Sequence, residues 1–318
     1  MILSVREVVG RAERCFAAAG FDEGTARSNA SAIWWTEAYR GTGLSTLHSL
    51  LEPLEEMETM TPELERRDSP ISVLEGNGHP CLLSGVPALD LAGAHADRYG
   101  TGVTYVKQSG VGIDGNVLGA LAHRGAKRGD VTLVLSVDDD GESRTVLGIP
   151  RQSRPALAET TLDDPSRGIA AIEHAVRTDR QGAHEAPLFR AFFDDRAAEP
   201  FNTVDAQLLY RLVSQSADPK PDAEADTGFV VACINTHHPR YSDEARQVFD
   251  RIIHTDDRFE TQFQPEMIDE RVERLINEGV EVDRDLWQDI FEFGNGILAP
   301  PFEGSEKGAG FDLNELEG

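Results

Sequence analysis

The stretch with the most chemical promise in this 318-residue chain is Ser109-Gly110-Val111-Gly112-Ile113-Asp114-Gly115-Asn116. Gly110, Gly112 and Gly115 satisfy a GxGxxG spelling between a strand-like and a helix-like segment. Such a loop lets backbone amides approach a pyrophosphate at a helix N-terminus, where the N–H groups and the dipole favour an anion. It serves equally as a tight β/α turn that needs positive φ. The acid that would support a Rossmann loop from the next strand is not evident, so both readings stand. His237-His238-Pro239 follows an apolar run, a place where loops often carry function. Adjacent side chains on extended chain point to opposite sides, so this pair is poorly placed for one metal. Asp138-Asp139-Asp140 reads as a solvated turn. His79, His95, His123 and His174 are scattered over turns and helices and read as capping or half-buried residues. The sequence contains no GxSxG elbow, HExxH helix, Walker A loop or EF-hand loop, and no metal site is expected.

Composition narrows the field further. Asp and Glu total 56 against 30 Lys and Arg, a formal charge of −26, and only four of the bases are lysine: Lys107, Lys127, Lys220 and Lys307. In dilute buffer that charge pushes the compact state apart. At roughly 1 M salt the Debye length falls to about 3 Å and the repulsion is screened. A halophile's cytoplasmic protein is the expectation, with acids spread along the whole chain. Nucleic acid is a poor partner for such a surface, because phosphates need a basic footprint. Cys15, Cys81 and Cys233 are far apart, with no CxxC spacing, and read as reduced thiols. The first residues carry Arg6, Glu7, Arg11, Glu13 and Arg14, unlike a signal peptide. No apolar run approaches the length of a membrane span.

Periodicity predicts the elements that must position these residues. Val5 to Cys15 reads as a helix stopped at Gly20, and Asp22 caps a second helix anchored by Trp34-Trp35. A third helix runs from Ser45 to about Met57, and Glu55 to Ser69 reads as a polar connector. Strands are expected at 71–74, 102–106, 131–137 and 228–234, with helices over 84–99 and 116–128 between them, so a partly parallel sheet is implied. Gly148 to Pro155 reads as a loop, 168–176 as a strand, 204–215 as a helix and 216–227 as a solvated linker. Helices at 242–254 and 265–278 follow, then extended Val280–Val282 and a helix capped by Asp283. The reading is an α/β fold with a mixed sheet core flanked by helices and with helical portions at both ends. Its parts are an N-terminal helical segment (1–70), a sheet domain (71–235) with a divergent middle (138–227), C-terminal helices (236–299) packing on the N-terminal segment, and an acidic tail (300–318).

Phe16 to Gly20, followed by Arg40-Gly41-Thr42-Gly43-Leu44-Ser45-Thr46-Leu47-His48, resembles the opening of the non-Rossmann malate/L-lactate dehydrogenases. Ureidoglycolate and sulfolactate dehydrogenases and pyrroline-carboxylate reductases are relatives in that family. The resemblance continues, in order, through 74–78, 88–92, 100–106, Ser109-Gly110, 121–125 and 129–136, and returns at 228–234 and 278–287. It implies an NAD or NADP cofactor, a small 2-oxo or 2-hydroxy acid as substrate, and a homodimer or a paralogous partner subunit. Substrate or cofactor contacts are then expected at Arg40, Ser45, Ser109, Gly110, Gly112, Gly115, Asn116 and Arg124.

The departures are chemical. Where the family has Ser-His-Gly, this chain has Leu44-Ser45-Thr46, with His48 about one turn further on. The family's His-x-Gly-x-x-Gly matches Gly112 and Gly115, which puts Gly110 where the catalytic histidine belongs. Its Pro-Leu-Gly-Gly-x-Lys-Gly cofactor loop has no counterpart; Pro200-Phe201-Asn202-Thr203 sits about where it would be. Reduction of a 2-oxo acid needs a proton donor, worth roughly 10² to 10⁴ in rate, and glycine has no proton to give. Three expectations follow. The chain is a silent or altered paralogue kept for binding. Otherwise it is an active NAD(P)-dependent oxidoreductase in which His48 or His123 replaces the acid and Arg40, Arg124 or Arg151 holds the substrate carboxylate. Last, it is an unrelated α/β enzyme or binding protein.

Overall fold

Capping chemistry fixes the first helices. In α1 (Val5–Ala18) the Ser4 hydroxyl accepts from Glu7 N while the Glu7 carboxylate accepts from Ser4 N at 2.7 Å, so two of the free amides at the helix start are satisfied together. Asp22 accepts from Gly24 N and Thr25 N and starts α2 (Glu23–Arg40). Gly41, left-handed at φ 71°, ends α2, and α3 (Gly43–Glu56) follows at once. In this computed structural model the described residues are 1–57, 62–68, 71–107, 115–137, 143–151, 154–162, 228–235, 237–239 and 261–295.

The sheet uses β2 (Glu63–Asp68), β3 (Ile71–Glu75), β4 (Thr101–Lys107), β5 (Val131–Val137), β6 (Ser143–Ile149), β7 (Ala156–Leu162), β8 (Gly228–Ile234) and β9 (Thr261–Phe263). Their order across the sheet is β2-β3-β4-β8-β5-β6-β7-β9. Only β3 and β4 run parallel; every other neighbouring pair is antiparallel. Strand β8 is central and all seven of its residues are buried, which is why its sequence is a continuous apolar run rather than an alternation. Helix α4 (Cys81–Tyr99) packs on β4 and β8, and α5 (Gly115–Arg128) packs on β5 and β6.

The first residues are joined to the segment between the last two described helices. A short strand β1 (Ile2–Leu3) pairs antiparallel with β10 (Val280–Glu281), which links α6 (Pro265–Glu278) to α7 (Arg284–Asn295). The Arg11 guanidinium donates to Phe291 O and Asn295 Oδ1 and lies 3.7 Å over the Phe291 ring; the Cys15 thiol donates to Ile290 O. Phe16, Ile33, Leu47, Leu54, Leu89, Leu118 and Phe229 are fully buried, each contributing about 1.5–3 kcal/mol. The three cysteines are free and buried, and burial pushes the Cys15 thiol up to about 12.

Several expectations change. The polar connector over 55–69 holds a strand, β2, whose Glu- and Arg-rich composition suits a sheet edge, where charge discourages further pairing. Gly148 is not in a loop. It lies inside β6, where a Cβ would sit 2.3 Å from Ala122 O, so the missing side chain lets α5 rest directly on the strand. β7 begins at Ala156, directly after the segment read as a loop. The third helix begins at Gly43, two residues before Ser45. The sheet is mixed, as expected, but nearly all antiparallel. The expectations over 138–142, 168–176, 204–227, 242–254 and 300–318 lie outside the described residues.

Candidate functional site

The last turn of α2 and the first turn of α3 are locked together by Glu37. This residue is 8 % exposed, and its carboxylate accepts from Leu44 N at 2.9 Å. It supplies the negative group that the α3 N-terminus needs, since the N-cap residue Thr42 makes no side-chain cap. Ser45 Oγ donates back to Thr42 O at 2.8 Å on the exterior. His48 points away from the sheet: its Nε2 lies 2.9 Å from Asp289 Oδ2 of α7, and both side chains are well exposed.

Arg40, the final residue of α2, turns inward. It forms an ion pair with Glu159 of β7, where the side chains are 16 % and 8 % exposed. The guanidinium lies 5.6 Å from the Phe263 ring, and its Nε is buried without an acceptor. Gly119 of α5 makes room for this arrangement. A Cβ there would meet Trp35 Cη2 at 2.3 Å and Glu159 Oε1 at 3.3 Å. Trp35 stacks on Tyr39 at 4.1 Å between centroids, and His123 closes the cluster edge-on to Tyr39 at 5.5 Å. The Tyr39 carbonyl accepts from Arg271 of α6.

Electrostatics in this cluster disfavour charge. Burial, reinforced by Lys127 and Arg154, pushes the His123 imidazole down to about 4, and its Nε2 is buried without a partner. Burial lifts the Tyr39 hydroxyl to about 12. Arg154 and Trp35 lie near enough to that hydroxyl to oppose the rise, yet neither reaches it in hydrogen-bond geometry. A neutral histidine and a neutral phenol therefore sit beside a neutralised Arg–Glu pair.

The outer side of the cluster opens into a cleft of about 750 Å³ between α2 and α5. His123 and Arg124 both line it, so two expected site residues share one surface. Ser45 and His48 line neither this cleft nor the adjoining one of about 640 Å³. Gly115 and Asn116 are the first two residues of α5. Ser109, Gly110 and Gly112 lie outside the described residues. Glu159 was not singled out from the sequence; its signal was one acid in the otherwise uncharged stretch Ala156–Leu162. Tyr39 and Arg154 carried no signal beyond helical spacing and position inside a predicted loop.

The sequence matches no protein-family model and no curated protein. Solved structures do match. Malate dehydrogenase from Entamoeba histolytica is 16% identical with a TM-score of 0.59, over 95% of this chain and 99% of that one. Sulfolactate dehydrogenase from Methanocaldococcus jannaschii is 15% identical with a TM-score of 0.58, over 93% and 97%. Delta1-piperideine-2-carboxylate reductase from Pseudomonas syringae pv. tomato is 13% identical with a TM-score of 0.53, over 92% and 99%. At such identities the likeness is one of architecture, and it extends over nearly the whole length of each partner. The chain has the α/β fold that these two dehydrogenases and the reductase share.

Proposed function

We propose that this chain is a divergent relative of the NAD(P)-dependent 2-hydroxy-acid oxidoreductases that has lost their proton-transfer chemistry and serves as a binding or partner subunit. The observation that carries this reading is the state of His123. Among the described residues it is the one histidine lining either cleft, and at a pKa of about 4 roughly one molecule in a thousand holds the imidazolium at neutral pH. A general acid works best with a pKa near the working pH. Arg40 is equally unsuited to holding a substrate carboxylate or a dinucleotide phosphate, because Glu159 already neutralises it. Neither His123 nor Arg40 therefore fits the hydride chemistry of that cofactor. The formal charge of −26 supports a KCl-rich cytoplasm as the working medium.

The competing reading, an active oxidoreductase, draws support from the cation-rich lining of the His123 cleft. Purified protein in roughly 1 M KCl, offered NADH or NADPH and a panel of 2-oxo acids, separates the two. No oxidation of cofactor above background is expected. Turnover that disappears in His123→Gln would establish the active enzyme instead.

A further inference from the structure

Two Asn-Gly pairs occur in the chain, and they lie in the same tripeptide, Gly76-Asn77-Gly78 and Gly294-Asn295-Gly296. A glycine after asparagine has no Cβ to crowd its own backbone nitrogen, so that nitrogen can attack the side-chain amide before it. Sequence alone gives the two sites equal standing, and the fold separates them. Asn77 and Gly78 form the exposed turn between β3 and α4. Both are left-handed, at φ 50° and 75°. The turn is closed by His79 N donating to Gly76 O at 2.8 Å. Asn77 N donates to Glu75 Oε1 at 3.4 Å, a long contact. The Asn77 side-chain amide and the Gly78 nitrogen make no hydrogen bond among the described residues. A Cβ at Gly78 would meet nothing within 4 Å, so approach to that nitrogen is open. Rearranging such an exposed tip is a local event.

Asn295 stands in the opposite situation. It is the last residue of α7 and is half-buried. Its Oδ1 accepts from the Arg11 guanidinium at 3.0 Å, and the same guanidinium donates to Phe291 O. Hydrogen bonds with a charged donor are among the stronger kinds. Turning the Asn295 amide toward the following nitrogen would break that bond and leave buried Arg11 with an acceptor fewer.

We propose that Asn77 is a site of spontaneous deamidation, selected by the fold over the identical tripeptide at Asn295. The Gly78 nitrogen gives its proton to hydroxide and attacks Asn77 Cγ. The bond from Cγ to Nδ2 breaks, Nδ2 takes a proton from water, and ammonia leaves behind a cyclic imide. Water then opens the imide. Opening at Cγ restores the main chain with an aspartate at position 77. Opening at the main-chain carbonyl leaves an isoaspartyl link, with one more methylene in the backbone. The balance is one water consumed and one ammonia released, with nothing oxidised or reduced. Both products add a carboxylate. Aspartate tolerates left-handed φ much as asparagine does, so the first product keeps the turn. The isoaspartyl link lengthens it, and the His79 N–Gly76 O bond then loses its register. Buried His79 and Leu82 follow directly, so the disturbance reaches the start of α4.

The test is to incubate the wild-type chain in roughly 1 M KCl at mildly alkaline pH and then digest it with trypsin. Asn77 falls in peptide 68–98 and Asn295 in peptide 285–307, and neither peptide contains another asparagine. Mass spectrometry reads the exchange of amide for carboxyl in each. In the folded protein, peptide 68–98 should convert at least about tenfold faster than 285–307. In guanidinium chloride the two rates should converge, because the tripeptides are identical. Arg11→Met should speed conversion of 285–307 and leave 68–98 unchanged. Gly78→Ala should slow 68–98 at least about tenfold. Should either variant fail to fold, the wild-type ratio of folded to denatured rates still decides. No conversion of 68–98 overturns the site. A ratio in the folded protein equal to that in denaturant overturns selection by the fold.

Discussion

The seam between α3 and α7 and the cluster between α2 and α5 each hold one of the two histidines that could replace a missing catalytic acid. His48 in the seam has an acid partner, Asp289, but the pair is open to solvent and lines neither cleft. His123 in the cluster lines a cleft but is packed against Tyr39 and Trp35, and the charges that act on it are the cations Lys127 and Arg154. Each place has half of what a general acid requires. A proton donor needs both access to substrate and a carboxylate partner to orient its ring, and these two regions divide the requirements between them.

The contrast predicts that disturbing the cluster destabilises far more than disturbing the seam. Glu159→Ala strands the Arg40 charge in an interior site, and removing one partner of a buried pair costs about 3–5 kcal/mol. Urea denaturation in molar KCl measures it. Arg40→Met with Glu159→Leu should restore most of the loss, since no charge is left buried. A loss under about 1 kcal/mol for Glu159→Ala would mean the cluster is as solvated as the seam.

Gly119→Ala attacks the same cluster sterically. The new methyl would lie 2.3 Å from Trp35 Cη2, and Trp35 cannot withdraw freely because Tyr39 is stacked on it. Overpacking of this kind costs about 1–3 kcal/mol. Near-ultraviolet circular dichroism should show the altered indole environment while the far-ultraviolet signal is kept.

His123 adds a pH signature. Its folded pKa, about 4, is below the ordinary value of 6.5, so the unfolded chain takes up this proton first as pH falls. Stability is full above about pH 6.5 and declines as pH drops toward 4. With part of the shift screened, roughly 1–2 kcal/mol is at stake. His123→Phe should flatten that decline. Asp130 has the opposite sign, because burial and Asp97 raise its carboxyl to about 6 and its protonation favours the native state over the same range. The difference between wild type and His123→Phe therefore isolates the histidine. A difference that does not change between pH 6.5 and 4 would refute the neutral buried imidazole.

What the sequence disclosed was local. Asp22 and Asp283 marked helix starts, Gly20 marked a stop through positive φ, and the apolar run 228–234 marked the central strand. Each signal is read within a few residues of its own position. The misread pieces depend on distant partners. Gly148 looked like a loop residue because its role is to admit Ala122 from another element. Strand β2 looked like a connector because an edge strand with charged residues gains its identity from pairing with β3. The Arg40–Glu159 pair escaped notice because α2 and β7 meet only in the folded molecule. Sequence neighbours placed Arg40 at the end of a helix and could not say which carboxylate would be waiting for it.

The smallest effect belongs to the seam. A double-mutant cycle of His48→Ala and Asp289→Ala should give a coupling of about 0.5 kcal/mol or less, since exposed pairs are typically worth 0.2–1 kcal/mol. Their side chains are 41% and 60% exposed, and at roughly 1 M salt the screening length is about 3 Å, comparable to the contact itself. Lowering KCl in steps that keep the chain folded should strengthen the coupling, because screening relaxes. The Arg40–Glu159 coupling should barely respond to the same change, being shielded from ions by Phe263 and the stacked Trp35 and Tyr39. If the seam pair instead holds a salt-independent coupling above about 1.5 kcal/mol, it behaves as a buried pair. His48 would then sit in a structured pocket, and the division of requirements between the two histidines would no longer hold.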